Sequence, residues 1–451
     1  MVMQQAQNKM ATQPVRSLIL RMSLPPLISM FMQFSYNFID SAFVAKLSEN
    51  ALTAVSLSFP LTSLMNAISV WLGVGVSVMI SSHLGKGEQE QADHAATIGL
   101  LLSFAVGVIM NLAGLLVLRP YFAAFAKDAE IHSLCMTYMR VCVYMQIPNM
   151  VHIMIQKIIQ ATGNMVTPML FQVAGVVFNL IFDPILIFGL FGFPKMGISG
   201  AALSTVLGYT LSMLLALWML LGRRQKVCVR FKGLQVRWES IKSVFVFGLP
   251  SFIMQAISAI MVSIVNTFLV HYSTTAVAFF GAYFKLQQMI VMTVNGLIQG
   301  CLPVMSFNYA AGERRRLQDA YHWGTCFVCI AMAIGTLAVL LFPRPILGLF
   351  AASEEMLSFG IDAMRLMCLG YLFNGMTAMA SAYLLSTGQV PASVTVNLLQ
   401  QLLLLLPLLW LFSSLWGLGG IWLAFPVTEV LTFLVSFTLQ RRQSHRLAAA
   451  M

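Results

Sequence analysis

The run LMCLGYLFNGMTAMASAYLLSTGQVPASVTVNLLQQLLLLLPLLWLFSSLWGLGGIWLAFPVT, at positions 366–428, contains no Asp, Glu, Lys or Arg. A helix that crosses a membrane needs about 20 apolar residues, so a run of this length holds more than one such helix. A second uncharged run lies between Lys242 and Lys285. The two runs predict an integral membrane protein with several spans.

The composition of the whole chain supports the same class. Of its 451 residues, 59% are hydrophobic and 9% are charged, whereas a soluble domain is about 25% charged. A soluble globular protein, a nucleic-acid binder and a disordered chain are therefore excluded. The apolar segments are too long and too uniformly apolar for β-barrel strands, which alternate over about ten residues. Twelve segments are predicted to span the membrane: 18–44, 52–80, 95–117, 131–158, 165–190, 197–221, 240–270, 277–305, 318–342, 356–384, 392–414 and 418–439.

The basic residues in the loops predict the orientation of these spans. With the N-terminus in the cytoplasm, 18 Lys and Arg fall in inner loops and 5 in outer loops, as the positive-inside rule requires. Both termini are thus expected in the cytoplasm, and the net charge of +11 indicates topology and no nucleic-acid partner. We expect no cleavable signal peptide, since the first apolar segment is a full span without a small-residue cleavage site.

The two halves of the chain resemble each other at a constant offset. Five pairs of motifs share it: Leu24-Pro25 and Leu249-Pro250, Gly87-Glu88 and Gly312-Glu313, Arg119-Pro120 and Arg344-Pro345, Arg140 and Arg365, Thr162-Gly163 and Thr387-Gly388. We refer to this offset, from position 24 to position 249, as the repeat spacing. A further match, of 53–55 with 275–277, falls short of the repeat spacing and predicts a three-residue slip in an outer loop.

The repeat also sets the domain organisation. Each repeat holds six predicted spans, and an even number of spans requires both halves to have the same orientation in the membrane. The predicted domains are an N-lobe at 1–225, a basic cytoplasmic linker at 226–239 and a C-lobe at 240–451.

Catalytic and nucleotide-binding motifs are absent from the sequence. There is no G-x-x-x-x-G-K-[ST], H-E-x-x-H or G-x-S-x-G motif. Cys326 and Cys329 form a C-x-x-C inside a span, where buried cysteines acting as small hydrophobes are the better interpretation. We therefore expect a protein that is not an enzyme, that has no cofactor and that transports by an ion gradient or passively, unless a partner subunit supplies ATP.

Three acidic residues lie well inside predicted spans: Asp40, Asp183 and Glu429. An ionisable group there is costly and by default marks a functional site. At 1.5 Å per residue, Asp40 and Asp183 both lie about 10 Å below the outer surface. The side chains of Tyr36, Asn179 and Thr205 fall at the same depth. This set predicts a site for H⁺ or for Na⁺, with structural bonding of the two acids as the alternative.

Other features of the spans carry weaker expectations. Glu429 is expected to be hydrogen-bonded to a neighbouring helix or to take part in ion coupling. Arg140 and Arg365 are expected to face the outer mouth or to cap neighbouring helices, and Lys157 is expected to snorkel towards the inner surface. Pro25-Pro26 interrupts the first span and permits it to bend.

Six segments form a recognisable set of motifs: Asp40–Val44 with Ala51–Val55, Gln160–Asn164, Asn179–Phe188 (NLIFDPILIF), Gly197–Thr205 and Asn308–Gly312. Together they resemble the motifs of the MATE (multidrug and toxic compound extrusion) family, and the resemblance extends over about residues 16 to 440. The chain looks most like the DinF-like or MepA-like bacterial branch. The resemblance implies a V-shaped transporter with two six-helix lobes, which exports drugs in exchange for H⁺ or Na⁺.

The resemblance also assigns residues to the site. It implies a cation-coupling site in the N-lobe built from Asp40, Asp183, Asn179, Thr205 and Tyr36. If the ion is Na⁺, we expect Asp40, Asn179, Asp183 and Thr205 to bind it, and we expect no other metal. The NorM-like branch also has acids in the second lobe, where this chain has Gln255 and Asn374, so coupling is expected in the first lobe. The expected substrate cavity comprises Gln33, Tyr138, Gln156, Gln172, Gln255 and Asn374.

The predicted protein is an efflux antiporter for hydrophobic, mainly cationic drugs or toxic metabolites, monomeric in a bacterial inner membrane. The alternative function is a flippase for lipid-linked oligosaccharides, which would need a basic cavity formed by Arg140, Arg365 and Lys285. A membrane scaffold or receptor leaves the paired acids unexplained. A major-facilitator carrier would have a charged motif between spans two and three, where this chain reads 84–90 as LGKGEQE.

Overall fold

The computed structural model describes residues 9–125, 128–144, 146–222, 225–230, 237–348 and 354–449. Within these ranges the chain forms sixteen α-helices, one π-helical segment and no strand. The first eight helices are α1 Lys9–Thr12, α2 Val15–Ala45, α3 Glu49–Lys86, α4 Gln89–Phe125, α5 Ala129–Tyr144, α6 Gln146–Ala161, α7 Val166–Phe188 and α8 Ile198–Leu221. The others are α9 Trp238–Val270, α10 Thr274–Ala310, α11 Arg314–Leu341, α12 Pro343–Gly348, α13 Glu354–Cys368, α14 Tyr371–Ser386, α15 Val390–Leu398, the π segment Leu399–Leu403 and α16 Leu405–Ala449.

The helices agree with twelve membrane spans. Ten stretches of described residues are long and apolar enough to cross a membrane. One of them, Val390–Ala448, has 59 residues and holds two spans, because Gly417 is non-helical within it (φ 59°, ψ −137°). Helices α5 and α6 add another span, on either side of position 145, which lies outside the described residues. The prediction of an all-α integral membrane protein is confirmed, including the boundary between the last two spans.

The helix boundaries reproduce the repeat spacing of the sequence. Helices α3, α4, α5 and α6 each begin one repeat spacing before α10, α11, α13 and α14, respectively. Glycines with positive φ recur at the same offset, at 87 and 312 (φ 78° and 75°) and at 163 and 388 (φ 84° and 78°). A residue without Cβ tolerates this left-handed conformation, which closes a helix C-terminus.

The prediction of a three-residue slip between the repeats is wrong. Ser48 and Ser273 cap α3 and α10, and their hydroxyl groups accept hydrogen bonds of 3.0 Å from the backbone N–H of Ala51 and Ala276. The two capping serines are one full repeat spacing apart, and so are the two alanines that donate to them. The predicted three-residue slip between the repeats is therefore absent at this position. The 53–55 match arose because short apolar motifs recur by chance, whereas a helix cap fixes the alignment by geometry.

The chain divides into two compact units. The first unit is Ile28–Phe252, and the second contains the chain up to Leu27 together with Ile253 onward. Both divisions fall within long helices, α2 and α9, close to Pro25-Pro26 and to Pro250. Helix α2 continues through its two prolines without a break, so the predicted interruption is not present as a gap in the helix. The predicted lobe boundaries at 225 and 240 stay a prediction.

In the first unit, the beginning of α9 packs closely on α3. A Cβ at Gly75 would overlap the backbone carbonyl of Val244, and a Cβ at Gly248 would overlap that of Trp71. The Trp71 indole N–H donates to the Phe245 carbonyl at 2.7 Å. Small residues allow this approach of two membrane helices.

The second unit has an equivalent contact between α10 and the beginning of α2. A Cβ at Gly300 would lie 2.8 Å from the Ser23 backbone, and one at Gly296 would lie 2.6 Å from the Leu27 side chain. The repeat spacing relates Gly75 to Gly300, and it relates Ser23 to Gly248. Each repeat therefore contributes the first part of its first helix to the unit that holds most of the other repeat.

The described part of the predicted linker lies along α4 in the first unit. The Asp93 carboxylate accepts from the backbone N–H of Cys228 at 3.0 Å, and Gln89 donates to the Lys226 carbonyl at 2.8 Å. Val227 is 1% exposed and joins the hydrophobic core of this unit. Residues 231–236 of the predicted linker lie outside the described residues.

Candidate functional site

The side chains of Asp40 and Asp183 come together in the first unit, as their common depth predicted. Asp183 lies on α7 and is fully buried, and Asp40 lies on α2 near its end. The two carboxyl groups are close enough to interact with each other directly. Residues from helices far apart in the sequence thus share one buried pocket.

A serine that the sequence patterns did not single out completes this pocket. The hydroxyl of Ser204, which is fully buried on α8, donates to Asp183 Oδ1 and lies 3.2 Å from Asn179 Oδ1. Asn179 and Asp183 are one turn apart on α7, so a single hydroxyl reaches both side chains. A methyl group on Gly208, one turn after Ser204, would overlap the Asn179 amide.

The sequence does contain a signal for Ser204. Four buried small residues recur every fourth position along α8: Gly200, Ser204, Gly208 and Ser212. Such a row brings membrane helices into close contact, and here it faces α7, where a Cβ at Gly200 would lie 2.6 Å from the Leu186 carbonyl. The row predicts which face of α8 meets the helix that carries Asp183.

Two predicted hydroxyl groups bond to each other beside the carboxyl pair. Tyr36 Oη and Thr205 Oγ1 are 2.8 Å apart. Tyr36 precedes Asp40 by one turn on α2, and it interacts with both acids. Tyr138, on α5, lies near Asp40, Tyr36 and Cys142. The five residues predicted for cation coupling, with Tyr138, are therefore brought together within one unit.

Neither acid has a basic partner among the described residues. The ion pairs found there are His83 with Glu88 at 2.7 Å and Arg230 with Asp93 at 3.9 Å, both outside this pocket. Asp40 Oδ1 and Asp183 Oδ2 are buried and have no hydrogen-bond partner in the described part of the chain. Because two uncompensated charges in a buried pocket are very costly, the pair is suited to hold a shared proton or another cation.

The His83–Glu88 pair connects the last turn of α3 with the turn that follows it, outside the pocket of the two acids. The hydrogen bond with His83 lowers the pKa of the exposed Glu88 carboxyl. This acid therefore has a partner of its own and provides a contrast to the buried pair.

Three glutamines expected in the substrate cavity form a hydrogen-bonded row. Gln156 Nε2 donates to Gln172 Oε1 at 2.9 Å, and Gln172 Nε2 donates to Gln33 Oε1 at 3.3 Å. Gln33 also interacts with the Tyr209 hydroxyl, so the row leads from α6 through α7 and α2 to α8. We refer to Gln33, Gln172 and Gln156 as the glutamine row.

The other two expected cavity residues, Gln255 and Asn374, belong to the second unit. Asn374 donates to Glu429 Oε1 at 3.1 Å, and Gln400 donates to Glu429 Oε2 at 2.7 Å. Gln400 lies in the π segment, a local widening of the helix that is frequent at functional positions. The expectation that Glu429 is hydrogen-bonded to neighbouring helices is confirmed.

The basic residues of the spans differ in their contacts. Arg365 Nε donates to the Leu340 carbonyl at 3.4 Å, which caps the end of α11 as expected. Lys157 does not snorkel, because it is 7% exposed and its ammonium donates to Gln160 Oε1 at 3.1 Å. Helix α6 is buried at almost every position, so the Lys157 side chain has no path to the surface.

Two six-span repeats, with a buried carboxyl pair in one unit, define a multi-pass membrane protein of the transporter type. A family model described as MatE matches residues 25–185 and 250–411, one segment in each repeat. These segments cover more than half of the chain. The chain therefore belongs to the MATE family of transporters, as its motifs indicated.

Individual relatives match over nearly their whole length. The chain is 26% identical to the FAD transporter of Shewanella oneidensis, covering 95% of each protein. It is 24% identical to the multidrug export protein MepA of Staphylococcus aureus, covering 94% of this chain and 93% of that protein.

Solved structures match in fold. One described as the outward-facing conformation of a multidrug resistance MATE family transporter aligns with a TM-score of 0.92, at 24% identity and 98% coverage of both chains. A transporter from Pyrococcus furiosus, described by the reverse polarity of its binding pocket, aligns with a TM-score of 0.91 at the same identity.

Proposed function

We propose that this protein is a secondary active efflux antiporter, which exports hydrophobic, mainly cationic compounds in exchange for protons. Its family membership and the multidrug exporters among its relatives support efflux as the direction of transport. Small-molecule drugs or toxic metabolites are its proposed substrates. We also propose a monomer in the inner membrane of a bacterium, with both termini in the cytoplasm.

The observation that carries the proposal is the Asp40–Asp183 pair without a basic partner among the described residues. A proton held between the two carboxyl groups halves the negative charge of the pair. A cationic substrate is attracted when the proton has left, and it is released when the proton returns. Alternating occupancy by proton and substrate is enough to couple their movements in opposite directions.

The donor set favours H⁺ over Na⁺ as the coupling ion. A hard metal ion binds several oxygen ligands at once. Around the pair, Thr205 is bonded to Tyr36, and Asn179 and Asp183 share the Ser204 hydroxyl. Two carboxyl oxygens, one from each acid, are left without a partner in the described part of the chain, which suits a shared proton.

The test is ethidium transport in proteoliposomes, with pH and Na⁺ gradients imposed separately. Asp40→Asn and Asp183→Asn remove one ionisable group each with little change in volume. We expect each variant to lose pH-driven transport by about a hundredfold or more, the range of a lost proton-transfer group. Glu88→Gln, which alters an exposed acid that has its own partner, is the matched control and should transport normally.

Normal pH-driven transport by both Asn variants would refute the coupling site. Transport driven by a Na⁺ gradient alone would identify Na⁺ as the coupling ion in place of the proton. Its ligands would then be Asp40, Asn179, Asp183 and Thr205. The flippase alternative gains no support, because Arg365 is engaged with the end of α11.

A further inference from the structure

Helix α6 buries a polar face that the proposed coupling site does not use. The face comprises Gln146, Asn149, His152, Gln156, Lys157 and Gln160, each between 0% and 9% exposed. At 100° per residue, these six side chains fall within an arc of about 140°. We refer to them as the α6 polar face. So many buried polar side chains on one membrane helix are costly unless each finds a partner.

Three of the six side chains of the α6 polar face have polar atoms without a partner in the residues that the structure describes. Both polar atoms of Gln146, Asn149 Oδ1 and both ring nitrogens of His152 have no hydrogen-bond partner in the described part of the chain. An orphaned buried polar atom costs about 1–3 kcal/mol. Buried polar groups of this kind are normally satisfied by internal water, each molecule of which makes two to four hydrogen bonds. The α6 polar face therefore has the chemistry of a surface lined by ordered water.

The α6 polar face is continuous with the carboxyl pair through side chains of the same unit. The glutamine row begins at Gln156 on α6 and ends at Gln33, which interacts with Tyr209. The rings of His152 and Tyr209 are 6.1 Å apart. Tyr209 is in turn near Tyr36, which interacts with both acids. Polar groups thus connect the carboxyl pair with the interior of α6.

His152 is the member of the α6 polar face suited to pass a proton. Amides orient water but do not release protons, whereas an imidazole accepts a proton at one nitrogen and releases one from the other. The neighbours of His152 are the Phe171 ring of α7 and the Tyr209 ring of α8, with ring centroids at 5.4 Å and 6.1 Å. Lys157, on the same helix, is bonded to Gln160.

We propose that the α6 polar face holds a chain of internal water that conducts protons between the Asp40–Asp183 pair and the Lys157 end of α6, with His152 as the relay. A proton leaves the carboxyl pair through water and forms an N–H bond on one His152 nitrogen. The other nitrogen then gives its proton to water on the far side, so that one positive charge moves and no group is oxidised or reduced. This inference rests on the proposed proton coupling and assigns its route.

The second repeat supplies an internal comparison. Helix α14 begins one repeat spacing after α6, and its Thr377 occupies the position of His152. Thr377 is fully buried, and its hydroxyl has no partner among the described residues. The residues of α14 that are equivalent to Lys157 and Gln160 are Ala382 and Leu385. The second repeat has therefore no titratable relay at these positions.

The experiment measures ethidium-driven proton movement in proteoliposomes that contain a pH-sensitive dye. We expect His152→Phe and His152→Gln to slow proton movement by about tenfold or more, with ethidium affinity unchanged. Thr377→Val is the matched control, since it removes an equally buried polar atom at the equivalent position, and it should leave proton movement unchanged. If His152→Phe does not yield folded protein, His152→Gln decides.

Normal proton movement in the folded His152 variants, while Asp40→Asn abolishes it, would overturn the route and leave the coupling site intact. Normal proton movement in both the Asp40→Asn and the Asp183→Asn variants would instead refute the assignment of the coupling site itself. Radiolytic hydroxyl-radical labelling tests the water directly. His152 should be labelled well above Phe307, which is 1% exposed, and equal labelling of both would also overturn the proposal.

Discussion

Gly300→Ala should destabilise the protein, although alanine is the better helix former. A Cβ at position 300 would lie 2.8 Å from both the N and the Cα atoms of Ser23. Backbone atoms cannot turn aside as a flexible side chain can, so the beginning of α2 must move away from α10. That movement also weakens the hydrogen bond of 3.3 Å from the Ser23 hydroxyl to the Leu297 carbonyl.

The magnitude follows from three contributions. Overpacking costs about 1–3 kcal/mol, the weakened hydrogen bond costs about 0.5–1.5 kcal/mol, and the gain in helix propensity returns about 1 kcal/mol. The net expectation is a loss of about 0.5–3.5 kcal/mol in the free energy of unfolding. Gly75→Ala should have the same sign, because it faces the Val244 backbone in the equivalent contact of the first unit.

Gly281→Ala is the matched control in the same helix. Gly281 is exposed, and apart from its chain neighbours and the nearby backbone of its own helix no atom lies within 4 Å of the Cβ that alanine would add. This variant should be as stable as the wild type or more stable by about 0.5–1 kcal/mol. Thermal unfolding of the purified variants in one detergent, followed by circular dichroism, measures the difference. Equal stability of the Gly300→Ala and Gly281→Ala variants would refute the close helix contact.

Three further predictions concern polar contacts. Glu429→Leu should lower the free energy of unfolding by about 2–4 kcal/mol because it removes the acceptor of the Asn374 amide and of the buried Gln400 amide, whereas Glu429→Gln should lose less; equal losses in detergent unfolding would contradict this. Gly208→Ala should displace the Asn179 amide and slow ethidium efflux from cells, and unchanged efflux would argue against a role for that amide. Asp93→Ala should free the described linker segment that it binds, so trypsin should cleave more quickly after Arg230; an unaltered cleavage rate would mean that the contact does not hold the segment.

The sequence alone was sufficient for the architecture. Long uncharged segments predicted the spans, because apolar length is a local property that the bilayer selects. The repeat spacing predicted two repeats in parallel, and the helix starts and turn glycines reproduce it. The common depth of Asp40 and Asp183 also followed from loop charges, since helical rise converts sequence position into depth.

The contacts between helices were decided by the tertiary structure. Hydropathy does not indicate which face of an almost uniformly apolar helix meets a given neighbour, so the Ser204 bridge between Asn179 and Asp183 was missed. Lys157 was expected at the surface, since its sequence position does not reveal that α6 is enclosed on all sides.

What the sequence determined by itself is the number and order of the spans and the presence of rare polar groups within them. Only the tertiary structure decided which of these groups meet. In the tertiary structure the carboxyl groups of Asp40 and Asp183 lie close together, and three glutamines form a hydrogen-bonded row. Asn374 and Gln400 both donate to the Glu429 carboxylate. The physical reason is that each of these contacts joins different helices, and the pattern of residues along one helix does not record which side chain of another helix it meets.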